Sequence, residues 1–501
     1  MSVEAASVPT IHRRLFSELK QRPQDGAVPQ SPLIRGFERF FLFFAFTCFT
    51  GVTAFGSKGV TGDTASNPVN LTCNAIILSI VVTLIAMRWR EMVPLLWRSS
   101  PILLLAAWAL CSVSWSIDPP VSFRRVGTMV LCVMVAYYVV MRIDMPTIIR
   151  ILGYSFLGVA VASTFVALVF PGIGIMNDPS SMTFNAWRGV MPVKNNLGWI
   201  TFGGVQVYAW RALFEHRKRV MHIAIILFFT FVAYKSKSDT AMLSIPLSII
   251  VLPIMKIRWW KSVGRVWIES IAVMACIAVT VVVSAFFGDL LTAIGKDPTL
   301  TGRVPLWHAA IRMMELKPWL GYGYYAFWID SNPAFHWVAM VAWEAPDAHN
   351  AYIDLGLELG LPGAILGTSI LLSLLFMSVR LCRTSREPWV IYAAMFTIVF
   401  AITNLVDTRL FRSGDPFCFI MALCYFAVMK LKIEQREKAK AESDEMKKHW
   451  SWRLARGRNL AGGTALPALP SVTDSDTDTV AEGRPQPSNG GGLKFRSVSP
   501  R

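Results

Sequence analysis

The chain is divided into long stretches that contain no charged residue, and this limits what it can fold into more than any other feature. Twelve such runs occur, at 40–57, 64–87, 99–117, 126–141, 151–177, 195–210, 220–234, 240–255, 270–288, 359–379, 388–406 and 416–429. About 20 mostly apolar residues are needed for a helix to cross the hydrocarbon core of a bilayer. Five of the runs fall short at 14 to 16 residues; their flanking Lys and Arg side chains can snorkel to the headgroups and lengthen the usable span. Composition agrees: 54% of the residues are apolar and 16% charged, against roughly 45–50% and about 25% in soluble domains. The expected fold is all-α, a polytopic integral membrane protein of about 12 transmembrane helices. Intrinsic disorder is excluded for the body of the chain, and an ordinary soluble enzyme is disfavoured.

The formal charge of +17, from 49 Lys+Arg against 32 Asp+Glu, suggests an anionic partner such as nucleic acid until the charges are located. With the N-terminus in the cytoplasm and sides alternating, 36 of the 49 cations fall on inner segments and 13 on outer ones. The positive-inside rule predicts that asymmetry, so most of the charge reflects topology and no nucleic-acid partner is expected. The resulting organisation is a cytoplasmic tail (1–36), nine spans (37–286), a large outer loop (287–357), three more spans (358–429) and a cytoplasmic tail (430–501). That last tail opens with a charged, helix-favouring stretch, Ile433–Arg458, and then turns Pro/Ser/Thr/Gly-rich, a composition read as disordered. The eight cysteines lack CxxC pairing and seven lie in apolar segments, which suits small core residues better than a disulfide frame or a zinc site. There is no internal repeat, and the halves lack the matched broken helices of an inverted-repeat transporter.

The outer segments are where chemistry can sit. Because the positive-inside rule disfavours cations there, each outer Arg or Lys calls for a reason, either a headgroup contact or a ligand. An anion at the bilayer surface, above all a lipid-linked phosphate or diphosphate, matches Arg forks and Lys point charges. The outer cations include Arg124 and Arg125, Arg188 and Lys194 (followed by Asn195 and Asn196), Arg303, Arg312, Arg409 and Arg412. The large loop also carries Trp307, Trp319, Tyr322, Tyr325, Trp328 and Trp343 among other aromatics; these suit an interfacial belt or a loop core, or else a carbohydrate groove. Its histidines, His308, His336 and His349, fit no helical metal motif such as HExxH, so no metal site is expected. His308 shares a helix expected over 303–317 with Trp307 and Arg312, which suits a structural role. His349, in Asp347-Ala348-His349-Asn350 just before a span, lies at the membrane boundary where the reactive end of a lipid-linked substrate would be.

Several of these residues fall into an ordered pattern. The loop reads Thr301-Gly302-Arg303, Trp307, Pro318, Gly321-Tyr322-Gly323, then His349-Asn350-Ala351-Tyr352, Glu358, Gly360-Leu361 and Gly363. Upstream are Ser114-Trp115-Ser116-Ile117-Asp118-Pro119 with Arg124, then Gly189 with Lys194-Asn195-Asn196-Leu197-Gly198, then Ser236, Ser238 and Thr240. In this order, over roughly residues 110 to 370, the pattern resembles the bacterial O-antigen ligase/polymerase superfamily, and within it exopolysaccharide polymerases of the succinoglycan type. One departure is Val193, which stands where the family has a His before Lys-Asn.

The resemblance implies a metal-independent glycosyltransferase of the bacterial inner membrane that polymerises undecaprenyl-diphosphate-linked oligosaccharides at the periplasmic face, without cofactors. Its partners would be the lipid-linked donor and acceptor, the bilayer, and chain-length-regulating and export proteins. His349 is the first choice for the base that accepts the acceptor hydroxyl's proton, with Asp347 and Glu358 in reserve. Arg303, with Arg124, Arg188 or Lys194, would stabilise the leaving diphosphate; Asn195, Arg312 and Asn350 complete the expected substrate contacts. Three other readings stay open: an O-antigen ligase moving polymer onto lipid A-core, a polysaccharide-related transporter, and a non-catalytic scaffold using the charged 433–458 stretch.

Overall fold

A computed structural model describes residues 31–55, 67–176, 184–256 and 302–460. Eleven of the twelve uncharged runs contribute at least part of a helix within these residues; the run at 270–288 lies outside them, as do the ends of the runs at 40–57, 64–87 and 151–177, most of the N-terminal tail and the Pro/Ser-rich end. The first helices are α1 (Pro32–Phe49), α2 (Pro68–Ala86), α3 (Trp89–Arg98), α4 (Ser100–Cys111), α5 (Pro119–Arg142) and α6 (Met145–Val169). They are followed by α7 (Lys194–Phe214), α8 (Arg219–Ser236) and α9 (Asp239–Lys256). After the large loop's α10 (Arg303–Leu316) and α11 (Pro333–Val341) come α12 (Ala351–Thr384), α13 (Trp389–Thr403) and α14 (Pro416–Leu460). Two-residue strands β1 (Ile175–Met176) and β2 (Ala186–Trp187) pair antiparallel. The fold is all-α and the protein is a multi-pass membrane protein. By length and composition seven of the described helices can each cross a bilayer, or eight if the α3–α4 pair, bent by 89°, counts as one broken span. Of the twelve spans expected, the one at 270–288 lies outside the described residues, and α13 is shorter than a full span.

Local sequence explains where the helices begin. Asn67, Asp118, Asp144 and Asn350 each cap a helix by accepting backbone N–H groups of the first turn, and α1, α2, α5 and α6 carry proline in the first two positions, where its missing N–H costs nothing. The core runs along α1, α5, α6, α7, α12, α13 and the first turns of α14, with stacked or edge-on aromatics such as Phe202, Phe396, Phe400 and Phe417 at its centre. α2 is the exception, with only 11% of its span buried.

The charges at helix ends are paired. Arg142 meets Glu38 at 3.0 Å, and Glu38 also accepts from the Tyr138 hydroxyl at 2.7 Å. At the C-terminal end of α7, Glu215 is held by Arg150 at 2.6 Å and Arg211 at 3.0 Å. These clusters lie at the opposite ends of α5 and α7 from Arg125 and Lys194.

From Glu437 the chain forms a second unit. Its described part, up to residue 460, is helical, with Met446, Trp450 and Trp452 exposed.

Candidate active site

Two backbone devices bring the scattered motifs together. The first is a break in α12. Gly360 sits at φ +68°, off the helical path, in the left-handed region that favours glycine. The carbonyls just before the break are released from the helix and accept from the Gly-Tyr-Gly turn: Tyr322 N–H donates to Leu357 O at 2.8 Å and Gly323 N–H to Glu358 O at 3.0 Å. A Cβ on Gly321 would fall 2.6 Å from Leu357 O, so the contact needs glycine. The early Ser-Trp-Ser segment closes on the same turn, through Trp115 Nε1 to Leu320 O at 2.8 Å and Ser122 Oγ to Tyr324 O at 2.7 Å.

The second device is Asp354, buried in the first turns of α12. It accepts from Ala348 N–H at 3.1 Å, Trp328 Nε1 at 2.7 Å and the Thr408 hydroxyl at 2.6 Å. One carboxylate thus fastens the large loop, the start of α12 and the loop between α13 and α14. Trp307 Nε1, donating to Ala348 O at 2.8 Å, adds α10 to the same strap. At about 1 kcal/mol net for each such hydrogen bond, together they help to hold three loops in register.

Between these supports lies a cavity of about 660 Å³. Its wall includes His349, Asp347 and Glu358, Lys194, Asn195 and Asn196, and Arg125, Arg409 and Arg412. Asp347 is central. Its Oδ1 accepts from the His349 backbone N–H at 2.9 Å and lies 3.3 Å from His349 Nδ1; its Oδ2 is 3.2 Å from Arg412 Nη1. Burial works against the charged carboxylate, but the His349 imidazole and the Arg412 guanidinium outweigh it, so Asp347 is held below the usual aspartate range. His349 has a left-handed backbone (φ +49°) because Asn350 must cap α12 immediately afterwards, and its ring stacks on Trp343, 5.7 Å between centroids. With Nδ1 turned to Asp347, Nε2 is the atom left for a substrate.

The cations are built in rather than loose. Burial opposes the charge on Arg412, but Tyr325 and the carboxylates of Asp347, Asp354 and Glu358 more than offset this and hold its pKa above the ordinary arginine value. Arg412 and Arg125 both lie over the Tyr325 ring, at 4.9 and 4.3 Å, close enough for cation–π attraction. Arg409 bridges Asp415 at 2.9 Å and Asn196 at 3.1 Å and lies 5.0 Å over Trp199, whose Nε1 donates to Asp407 at 2.6 Å. Lys194 donates to Lys237 O at 2.9 Å, which sets the Lys-Asn-Asn segment against the Ser-Lys-Ser hairpin tip.

Not every expected residue joins this wall. His349, Asp347, Glu358, Lys194 and Asn195 do; Arg303, Arg312, Arg124, Arg188 and Asn350 are not among its lining side chains. The reasons are local. Arg303 opens α10, whose buried face (Leu306, Ala309, Ala310, Met313) packs into a separate small core under Tyr322 and Phe327. Arg312 on the same helix is exposed. Arg124 is one residue, about 100° of helix, away from Arg125, which does face the cavity. Arg188 is tied to backbone, donating to Ile173 O at 2.8 Å. Asn350 spends its side chain as the helix cap and on Leu405 O at 3.2 Å. Conversely, Arg125, Arg409 and Arg412 were visible as outer cations but not singled out. The signal for the last two was the short, doubly charged loop 407–415 between apolar runs.

Asp347, His349 and Asp407 offer ligand atoms within 4.8 Å of one another, as a cation site would. Their oxygens, however, already accept from N–H donors of His349, Trp199 and Thr408, and guanidinium groups share the wall. The donor set fits an anionic ligand with a carboxylate–imidazole pair beside it better than it fits a metal ion.

Residues 223–368 match the protein-family model described as O-antigen ligase. That stretch includes the hairpin tip, the large loop and the break at Gly360, while Arg125, Lys194 and the Arg409–Arg412 loop lie outside it. The chain is also 31% identical over 169 residues to the exopolysaccharide production protein ExoQ of Rhizobium meliloti (strain 1021), an alignment that covers 30% of this chain and 35% of that protein. The chain therefore spans about a third of the length of the curated relative it matches. The chain is thus similar to the O-antigen ligase model over residues 223–368 and to that exopolysaccharide production protein over 169 residues.

Proposed function

We propose that the protein is an inner-membrane glycosyltransferase that polymerises undecaprenyl-diphosphate-linked oligosaccharide repeat units into exopolysaccharide at the periplasmic face, with both termini cytoplasmic. The observation that carries this reading is the cavity, where a carboxylate–imidazole pair stands beside Arg125, Lys194, Arg409 and Arg412. An acceptor sugar hydroxyl attacks the anomeric carbon of the donor, the bond from that carbon to the diphosphate oxygen breaks, and undecaprenyl diphosphate leaves with the electron pair. His349 Nε2 takes the hydroxyl proton, and the Asp347 carboxylate, 3.3 Å from Nδ1, offsets the charge the ring gains. The guanidinium groups meet the charge that grows on the diphosphate; preorganised donors of this kind are worth most where water is excluded. Two lipid-anchored substrates held at one cavity gain further from proximity. No step needs a metal ion.

The description of the matched family favours a second reading, transfer of finished polymer to lipid A-core by the same chemistry. Products of a strain lacking the protein separate the two. Loss of high-molecular-weight exopolysaccharide with intact lipopolysaccharide supports polymerisation, whereas lipopolysaccharide without O-antigen supports the ligase.

A further inference from the structure

We propose that the side of this cavity formed by α1, the turn after it and α2 is a saccharide subsite, in which the Asn74 amide hydrogen-bonds ring hydroxyls of the lipid-linked sugar. The inference rests on the function proposed above and adds where the sugar lies relative to the diphosphate.

The two sides of the cavity differ in chemistry. The side built from the large loop, the 407–415 loop and α5 is charged. The side that contributes Thr50, Thr53, Asn70 and Asn74 is polar and, among the described residues, carries no charge. α2 is otherwise strongly apolar, with a mean hydropathy of 2.2 over its span, and its remaining hydroxyls are satisfied within the helix. Thr72, Ser79 and Thr83 donate to the carbonyls of Pro68, Ala75 and Ser79 at 2.8, 2.8 and 2.7 Å. Asn70 accepts from the Thr53 hydroxyl at 3.1 Å.

Asn74, one turn further along the same face, has no hydrogen-bond partner among the described residues, yet it is half-buried and lines the cavity. A half-buried amide on an otherwise apolar helix gains from a hydrogen-bond partner, and the cavity it lines is where a partner can stand. An amide offers two donors and an acceptor without charge. That pattern suits the neutral hydroxyls of a sugar and gives a diphosphate no reason to prefer this side over the guanidinium groups.

The test uses the full chain in lipid nanodiscs, lipid-linked repeat units extracted from a strain lacking the protein, and sugar-free undecaprenyl diphosphate as a competitor. For Asn74→Ala and Asn74→Leu we expect kcat/KM on the repeat units to fall roughly three- to tenfold, the value of about one neutral hydrogen bond, while inhibition by undecaprenyl diphosphate is unchanged. Unaltered turnover in both variants overturns the subsite and leaves cavity water as the amide's partner. Equal weakening of turnover and of inhibition also overturns it, because the damage then extends to the charged side. If undecaprenyl diphosphate does not compete even with the unsubstituted protein, the function proposed above fails and the subsite falls with it.

Discussion

Arg412 is the residue whose removal tests the cavity's electrostatics most severely. Its Nη1 lies 3.2 Å from Asp347 Oδ2, with the two side chains 19% and 11% exposed. At an effective dielectric near 20, two unit charges at that separation attract by about 5 kcal/mol. Breaking a buried pair costs about 3–5 kcal/mol, because the surviving charge is left uncompensated. Partial exposure moves the expectation to the lower end, about 3 kcal/mol, or roughly 10²-fold in an equilibrium or rate. If the guanidinium also meets the leaving diphosphate, a loss of about 10²–10³-fold in turnover follows from removing that one donor. Arg412→Ala is therefore expected to reduce kcat/KM by at least about 10²-fold. Arg412→Lys, which keeps the charge but loses the planar fork over Tyr325, should reduce it by about tenfold. The assay is release of undecaprenyl diphosphate from lipid-linked repeat units by protein in nanodiscs, with insertion checked by membrane abundance and melting temperature. A cycle with Asp347→Asn isolates the pair; a coupling above about 1 kcal/mol is expected for charged neighbours in contact. Turnover of a normally folded Arg412→Ala within threefold of the unsubstituted protein would refute the reasoning.

Two further outcomes follow from the same geometry. Gly360→Ala puts a side chain at φ +68° against the Trp319 carbonyl, so a loss of about 1–3 kcal/mol of stability is expected, read as a lower melting temperature; an unchanged melt would mean that the α12 break is not needed. Asp347 is held below the ordinary aspartate value, so its contribution to stability is complete above about pH 4, the unfolded value, and is lost as pH falls through the lower folded value. Acid unfolding of Asp347→Asn should accordingly begin less steeply than that of the unsubstituted protein; identical acid limbs would remove Asp347 from the account.

Much of the architecture was legible because membrane helices announce themselves by what they lack: the uncharged runs at 126–141, 195–210 and 240–255 fall inside α5, α7 and α9. The helix after the large loop was harder to place. It starts at Ala351 rather than near 359, because Asp354 and Glu358 interrupt the apolar pattern while being buried in its first turns. The site was legible only in part. His349, Asp347 and Lys194 stand out by position and type, whereas the choice of Arg125 over Arg124 depends on which face of α5 meets the cavity. Arg303 sits in the most recognisable motif and yet opens a helix packed on its own small core. Arg409 and Arg412 reach the site on a loop that long-range bonds such as Thr408 to Asp354 fasten to the start of α12, a contact across 54 residues that no local pattern reveals.

The central claim is that this chain by itself joins lipid-linked sugars. The most direct measurement incubates the purified protein with lipid-linked repeat units, in EDTA, and resolves the products on a gel beside a His349→Ala control. A ladder of polymer is expected, with one undecaprenyl diphosphate released per linkage, and none from the variant. Unchanged repeat units from the unsubstituted protein, or an equal ladder from His349→Ala, would contradict it.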